Sequence, residues 1–88
     1  MDRECRILVR RILTIAMLIS EKTKADCFFY YHPHVKGIDV SLYPNGWTDG
    51  AKPVRLMAPY TGCNEKSLAE VFDYLEEFLS NAEWEDVK

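Results

Sequence analysis

The apolar pattern of the chain predicts an α+β fold of order α-β-β-β-α, a three-stranded antiparallel meander with two helices packed on one face. Three observations carry that expectation. Cys5, Leu8, Ile12, Ile15, Ala16 and Ile19 recur at helical spacing near the start. Leu68, Val71, Phe72, Leu75, Phe78 and Leu79 do the same near the end. Between them lies the aromatic block Cys27–Trp47, in which strand-forming runs with period-two alternation are separated by turn residues. Two amphipathic stripes and one sheet are most simply buried as two layers.

The first helix is predicted from about Asp2 to Thr23. Asp2 and Glu4 suit the positive end of its dipole, and Lys22 and Lys24 the negative end. Arg3, Arg6 and Arg10 share the face opposite the buried stripe. Ile7, Leu13, Met17 and Leu18 fall outside that stripe. They either pack along its flank or form a self-association patch, which would give a homodimer through the first helix.

The first strand is expected from Asp26 to about His34. Cys27, Phe29 and Tyr31 point one way; Phe28, Tyr30 and His32 point the other. Both faces are aromatic, so the sequence leaves open which is buried. Pro33 has no N–H for a ladder bond and marks an edge, a bulge or the strand end. Val35-Lys36-Gly37 then make a turn. The second strand runs from Ile38 to Tyr43, with Ile38, Val40 and Leu42 inward and Asp39, Ser41 and Tyr43 outward. Pro44-Asn45-Gly46 reads as a turn in which Pro fixes φ and Asn-Gly accepts positive φ. A polar loop follows to Lys52. The third strand is expected from about Pro53 to Met57, with Val54 and Leu56 inward, before Pro59-Tyr60-Thr61-Gly62 breaks the chain. Asn64 is a good N-cap for the second helix, with Glu65 in its first turn. That helix is expected to fray around Ser80-Asn81. The acidic tail, about residues 82–88, carries one apolar anchor, Trp84.

Eighty-eight residues make a single domain, 1–88, with a small core. The 48% hydrophobic content is that of a folded protein. Net charge is −3, unevenly placed. Residues 1–44 carry seven Lys/Arg against five Asp/Glu, or +2; residues 45–88 carry four against nine, or −5. Phosphate-dominated nucleic-acid binding fits such a chain poorly. The odd number of cysteines (Cys5, Cys27 and Cys63) at wide spacing argues against a disulfide framework and for reduced thiols in the cytoplasm. The apolar run Ile12–Ile19 is too short to span a bilayer. Charged residues follow it in place of a small-residue cleavage site.

No constellation carries a reaction. His32 and His34 would share a strand face, but no paired cysteine motif completes a zinc set, so no metal and no cofactor is expected. Cys63, just before the second helix, is the best placed thiol, yet no orienting group accompanies it, and an enzyme is not expected. The exposed sheet face would carry Phe28, Tyr30, His32, Ser41, Tyr43 and Arg55. Its rings could stack nucleic-acid bases, but few cations lie beside them. Protein contact suits them better, because Tyr and Trp are enriched among binding anchors and Lys is depleted. The expected protein-interaction residues are therefore Tyr30, His32, Tyr43, Trp47 and Arg55, with the Asn45–Lys52 loop. Trp47 could instead fold back and cap the meander. Glu70, Asp73 and Glu77 form an acidic helix face, either simply solvated or able to fill a basic groove together with Glu83, Glu85 and Asp86.

Ile19-Ser20-Glu21-Lys22-Thr23, the aromatic strand, Pro33-His34-Val35, Ile38-Asp39-Val40 and Asn45-Gly46-Trp47 occur in that order. In that order they resemble small uncharacterised proteins encoded by bacteriophages and prophages of Gram-positive bacteria. The resemblance covers most of the chain and implies a cytoplasmic, phage-derived accessory protein. It brings no catalytic residues. The function expected is non-enzymatic protein binding, in its sharper form inhibition of a host defence system such as a CRISPR nuclease. The alternative is a nucleic-acid-associated phage regulator that uses Arg3, Arg6 and Arg10.

Overall fold

A computed structural model describes residues 2–59 and 65–84. Helix α1 spans Arg3–Lys22, strands β1, β2 and β3 span Asp26–His32, Gly37–Tyr43 and Val54–Pro59, and helix α2 spans Glu65–Asn81. The sheet order is β1-β2-β3, both pairs antiparallel. This is the predicted meander between two helices.

Local chemistry sets the helix boundaries. Asp2 caps α1 by accepting the Cys5 N–H at 2.8 Å. That bond holds the Asp2 carboxyl below its ordinary range. At the other end, Thr23 is buried and closes the helix. Its Oγ1 donates to the Ile19 carbonyl at 2.7 Å and accepts the Ala25 N–H at 3.0 Å. One side chain thus satisfies two buried backbone groups and lets the chain turn directly from α1 into β1. The N-cap expected at Asn64 and the thiol of Cys63 lie outside the described residues.

Strand β1 ends at His32 rather than His34. Pro33 cannot donate to the ladder, and residues 33–36 turn the chain instead, with Lys36 at φ 51. Strand β3 runs two residues further than expected, because Ala58 and Pro59 still pair with Ile38 and Gly37.

The pairing register decides the question the aromatic strand left open. Phe29 lies opposite Val40, and Cys27 opposite Leu42, so these residues share the core face. Ile38, Val40, Leu42 and Ala58 from the sheet meet Ile12, Ile15 and Ile19 of α1 and Leu68, Val71, Leu75 and Leu79 of α2 in one cluster. Leu18, expected outside the α1 stripe, is half buried against it.

The two helices lie side by side and run the same way. Carboxylate oxygens of Asp2 and Glu4, at the start of α1, fall within 4.8 Å of those of Glu65, at the start of α2. Thr23 and Lys24, past the end of α1, line one cavity with Phe78 and Asn81. The three exposed carboxylates sit where two helix N-termini present their positive ends. No helix among the described residues is long and apolar enough to cross a membrane.

Candidate functional site

Both helices cover the same side of the sheet, which leaves the other side open among the described residues. Strand parity puts Asp26, Phe28, Tyr30 and His32 of β1 on that open face. Asp39, Ser41 and Tyr43 of β2 join them, with Arg55 and Met57 of β3. Four of the five predicted interaction residues, Tyr30, His32, Tyr43 and Arg55, are thus brought together on one surface.

The rings form an ordered row. Phe28 and Tyr30 have centroids 6.5 Å apart at 15°, and Tyr30 and His32 6.4 Å apart at 20°. Tyr43 meets Phe28 edge-on at 5.6 Å and 72°. Alternate residues of one strand stand about perpendicular to the sheet, so the near-parallel row follows from the backbone. His32 is fixed further by Asp39, whose Oδ2 lies 3.1 Å from His32 Nε2. The second Asp39 oxygen is buried without a hydrogen-bond partner among the described residues. Such a group is costly, by about 1–3 kcal/mol.

Trp47 sits at one end of this row. The turn Tyr43–Gly46 closes through the Gly46 N–H and the Tyr43 carbonyl at 3.0 Å. Gly46 takes φ +90, whereas Asn45 stays out of the positive-φ region that the sequence suggested for both. The Trp47 N–H then donates to Asp26 Oδ2 at 2.7 Å. The indole is 56% exposed and does not close over the meander, so it is presented rather than used as a cap. The loop beyond it folds through an Ala51 N–H to Thr48 carbonyl bond at 3.0 Å and a left-handed Gly50.

Two contributors to the face were missed in sequence. Met57, 71% exposed, stands opposite Asp39. Its parity with Arg55 would have placed it there had the third strand not been ended at Met57 itself. Asp26 was read as a strand start, while its carboxylate anchors the loop that carries Trp47.

The other expected features are placed as follows. Glu70, Asp73 and Glu77 are all exposed on α2, and Glu70 lines a cavity with Arg55 and Met57 at the β3 side of the aromatic face. Trp84 ties back to α2 through Nε1, which donates to the Leu79 carbonyl at 3.2 Å. Glu85 and Asp86 lie outside the described residues. Arg3, Arg6 and Arg10 are exposed on α1. His34 is exposed in the 33–36 turn, while His32 is held in the strand by Asp39. Cys5 is buried, and burial pushes the Cys27 thiol up to about 12. No family model, curated protein or solved structure matches the chain.

Proposed function

We infer that the protein acts without catalysis, by binding another protein through the open aromatic sheet face. One observation carries this reading: Phe28, Tyr30, Met57 and Trp47 are exposed on or beside a face that no other element among the described residues covers. Exposed apolar surface of this extent on a small domain marks contact. Tyr, Trp, Met and Arg are also the side chains enriched in interface cores. Resemblance to phage proteins suggests a phage-derived accessory role in the host cytoplasm. In its sharper form the partner is a host defence nuclease such as a CRISPR effector.

The test is capture of a partner from bacterial lysate by the tagged protein, with and without nuclease treatment, using wild type, Tyr43→Ala and Trp47→Ala. A stoichiometric protein that survives nuclease and is lost with both variants, while their melting temperatures stay near wild type, is the expected result. Nuclease-sensitive capture that weakens steeply with salt would overturn it and favour the nucleic-acid reading on Arg3, Arg6 and Arg10.

A further inference from the structure

Strand β3 is an edge of the sheet, and its outward peptide groups can be assigned from the opposite edge. Ser20 Oγ accepts the Cys27 N–H at 2.9 Å and donates to the Cys27 carbonyl at 3.3 Å, so the peptide groups of Cys27 point away from β2. Those of Leu42, opposite Cys27, therefore point to β3, and the ladder alternates from there. Val54, Leu56 and Ala58 bond β2, while Arg55 and Met57 turn their N–H and carbonyl groups outward. Pro59 falls on an outward position too, where its missing N–H costs the ladder nothing. No outward group of Arg55 or Met57 has a hydrogen-bond partner among the described residues. Pro53 and Pro59 bracket this stretch, so it suits one short strand and resists open-ended stacking.

A groove runs between that edge and α2. A cavity of about 370 Å³ is lined by Arg55, Leu56 and Met57 from the strand and by Glu70 and Tyr74 from the helix. Past Tyr74 a second cavity, of about 270 Å³, reaches Glu77 and Asn81. Leu56, on the core side of the edge, is only half buried, and Tyr74 is 42% exposed. The rim is acidic. Glu70 and Glu77 are exposed on α2 and have no ion-pair partner among the described residues.

We propose that this edge binds an extended, basic segment of a partner protein, which adds to the sheet as a fourth strand. The proposal rests on the reading that the protein acts by protein contact, and it names the kind of segment recognised. Partner residues opposite Arg55 and Met57 exchange peptide hydrogen bonds with them and turn their side chains to the open face. The residue between them, opposite Leu56, turns its side chain toward α2. A lysine or arginine there lays its stem on Leu56 and Tyr74 and brings its charge to Glu70 or Glu77. Main-chain bonds then supply affinity and the alternate side chains supply selectivity. A second copy of this chain is the wrong occupant. Two-fold pairing of β3 with β3 would bring the acidic rims of both α2 helices into one groove.

An acetylated, amidated hexapeptide of alternating valine and lysine probes the edge, with amide hydrogen exchange of the purified protein as the readout. In the free protein the Arg55 and Met57 amides are expected to exchange fast, and those of Leu56 and Ala58 slowly. The peptide is expected to slow Arg55 and Met57 at least about tenfold. Methylating its valine amides, which face β3, is expected to weaken binding at least about tenfold; methylating its lysine amides, which face away at the same charge, is not. Glu70→Lys together with Glu77→Lys is expected to weaken binding at least about tenfold with helical circular dichroism unchanged. Met57→Pro removes an outward N–H, leaves the β2 ladder whole, and is expected to do the same.

The proposal is overturned by slow exchange of Arg55 and Met57 in the free protein, by no added protection with the peptide, or by equal binding of a valine–glutamate hexapeptide. Binding that is lost on Tyr43→Ala and Trp47→Ala but kept on Met57→Pro would put the segment on the aromatic face. That outcome sinks the edge and leaves the protein-contact reading standing, whereas capture of nucleic acid alone from lysate sinks the contact reading itself. A dimer in sedimentation that is lost on Met57→Pro would give the edge to a second copy and overturn the proposal as well.

Discussion

Thr23 and Cys27 show how single side chains decide what the turn from α1 to β1 tolerates. Thr23 Oγ1 serves the Ile19 carbonyl and the Ala25 N–H inside the protein, where Ala25 is fully buried. Thr23→Val keeps the shape and removes both bonds. It is expected to destabilise the fold by about 1–3 kcal/mol, read from denaturant melts, because a buried N–H loses its acceptor. Cys27 follows from the register that turns it inward beside Leu42. Burial disfavours its thiolate and raises the thiol from 9.0 to about 12. Its alkylation near pH 8 is expected to run on the order of 1,000-fold slower than that of a free thiol and to recover in denaturant. The raised value means the unfolded thiol ionises first, so its contribution to stability is complete below about pH 9 and is lost between about 9 and 12. Rapid alkylation of Cys27 in the native protein would show that it does not face the core.

Among the elements, the β2–β3 connection is the most exacting. Gly46 takes φ +90, and a Cβ there would meet the Lys24 carbonyl oxygen at 3.0 Å. Gly46→Ala is therefore strained in its own backbone and pressed against the chain that leaves α1. The expected loss is at least about 1–2 kcal/mol, the cost of a left-handed residue bearing a side chain. The same change should disturb Trp47, whose N–H is held by Asp26 one residue later. A shift in indole fluorescence at temperatures where the fold is intact checks this. Asn45-Gly46 was legible as a turn in sequence. Which of the two residues takes positive φ was not, because Asn tolerates either conformation and the neighbouring Lys24 carbonyl is brought there only by the folded chain.

For the molecule as a whole, the two faces of one sheet differ in burial, one packed in the core and the other carrying exposed side chains. Leu42 is fully buried between the helices, and Leu42→Ala is expected to cost about 2–5 kcal/mol through lost transfer energy and a cavity. Met57 stands on the other side, largely in water, and Met57→Ala is expected to stay within about ±0.5 kcal/mol. Urea melts of the two variants check the division. A large loss from Met57→Ala would mean that the open face is covered.

The element order, the helix stripes and the inward set on β2 could be read from the sequence, because helical and strand periodicity are local properties that one buried face imposes on the residues themselves. The same logic placed Tyr43 and Arg55 on the outward face, and Tyr30 and His32 together on one side of β1. Three features needed the tertiary structure. The burial of Phe29 rather than Phe28 came from the ladder with β2, since β1 is aromatic on both sides and its own pattern is degenerate. The exposure of Trp47 came from Asp26, twenty-one residues away, gripping its backbone. The fastening of α1 to the start of β1 came from Ser20, whose Oγ bonds both peptide groups of Cys27. Each depends on a contact between separate segments of the chain, which periodicity, being local, does not encode.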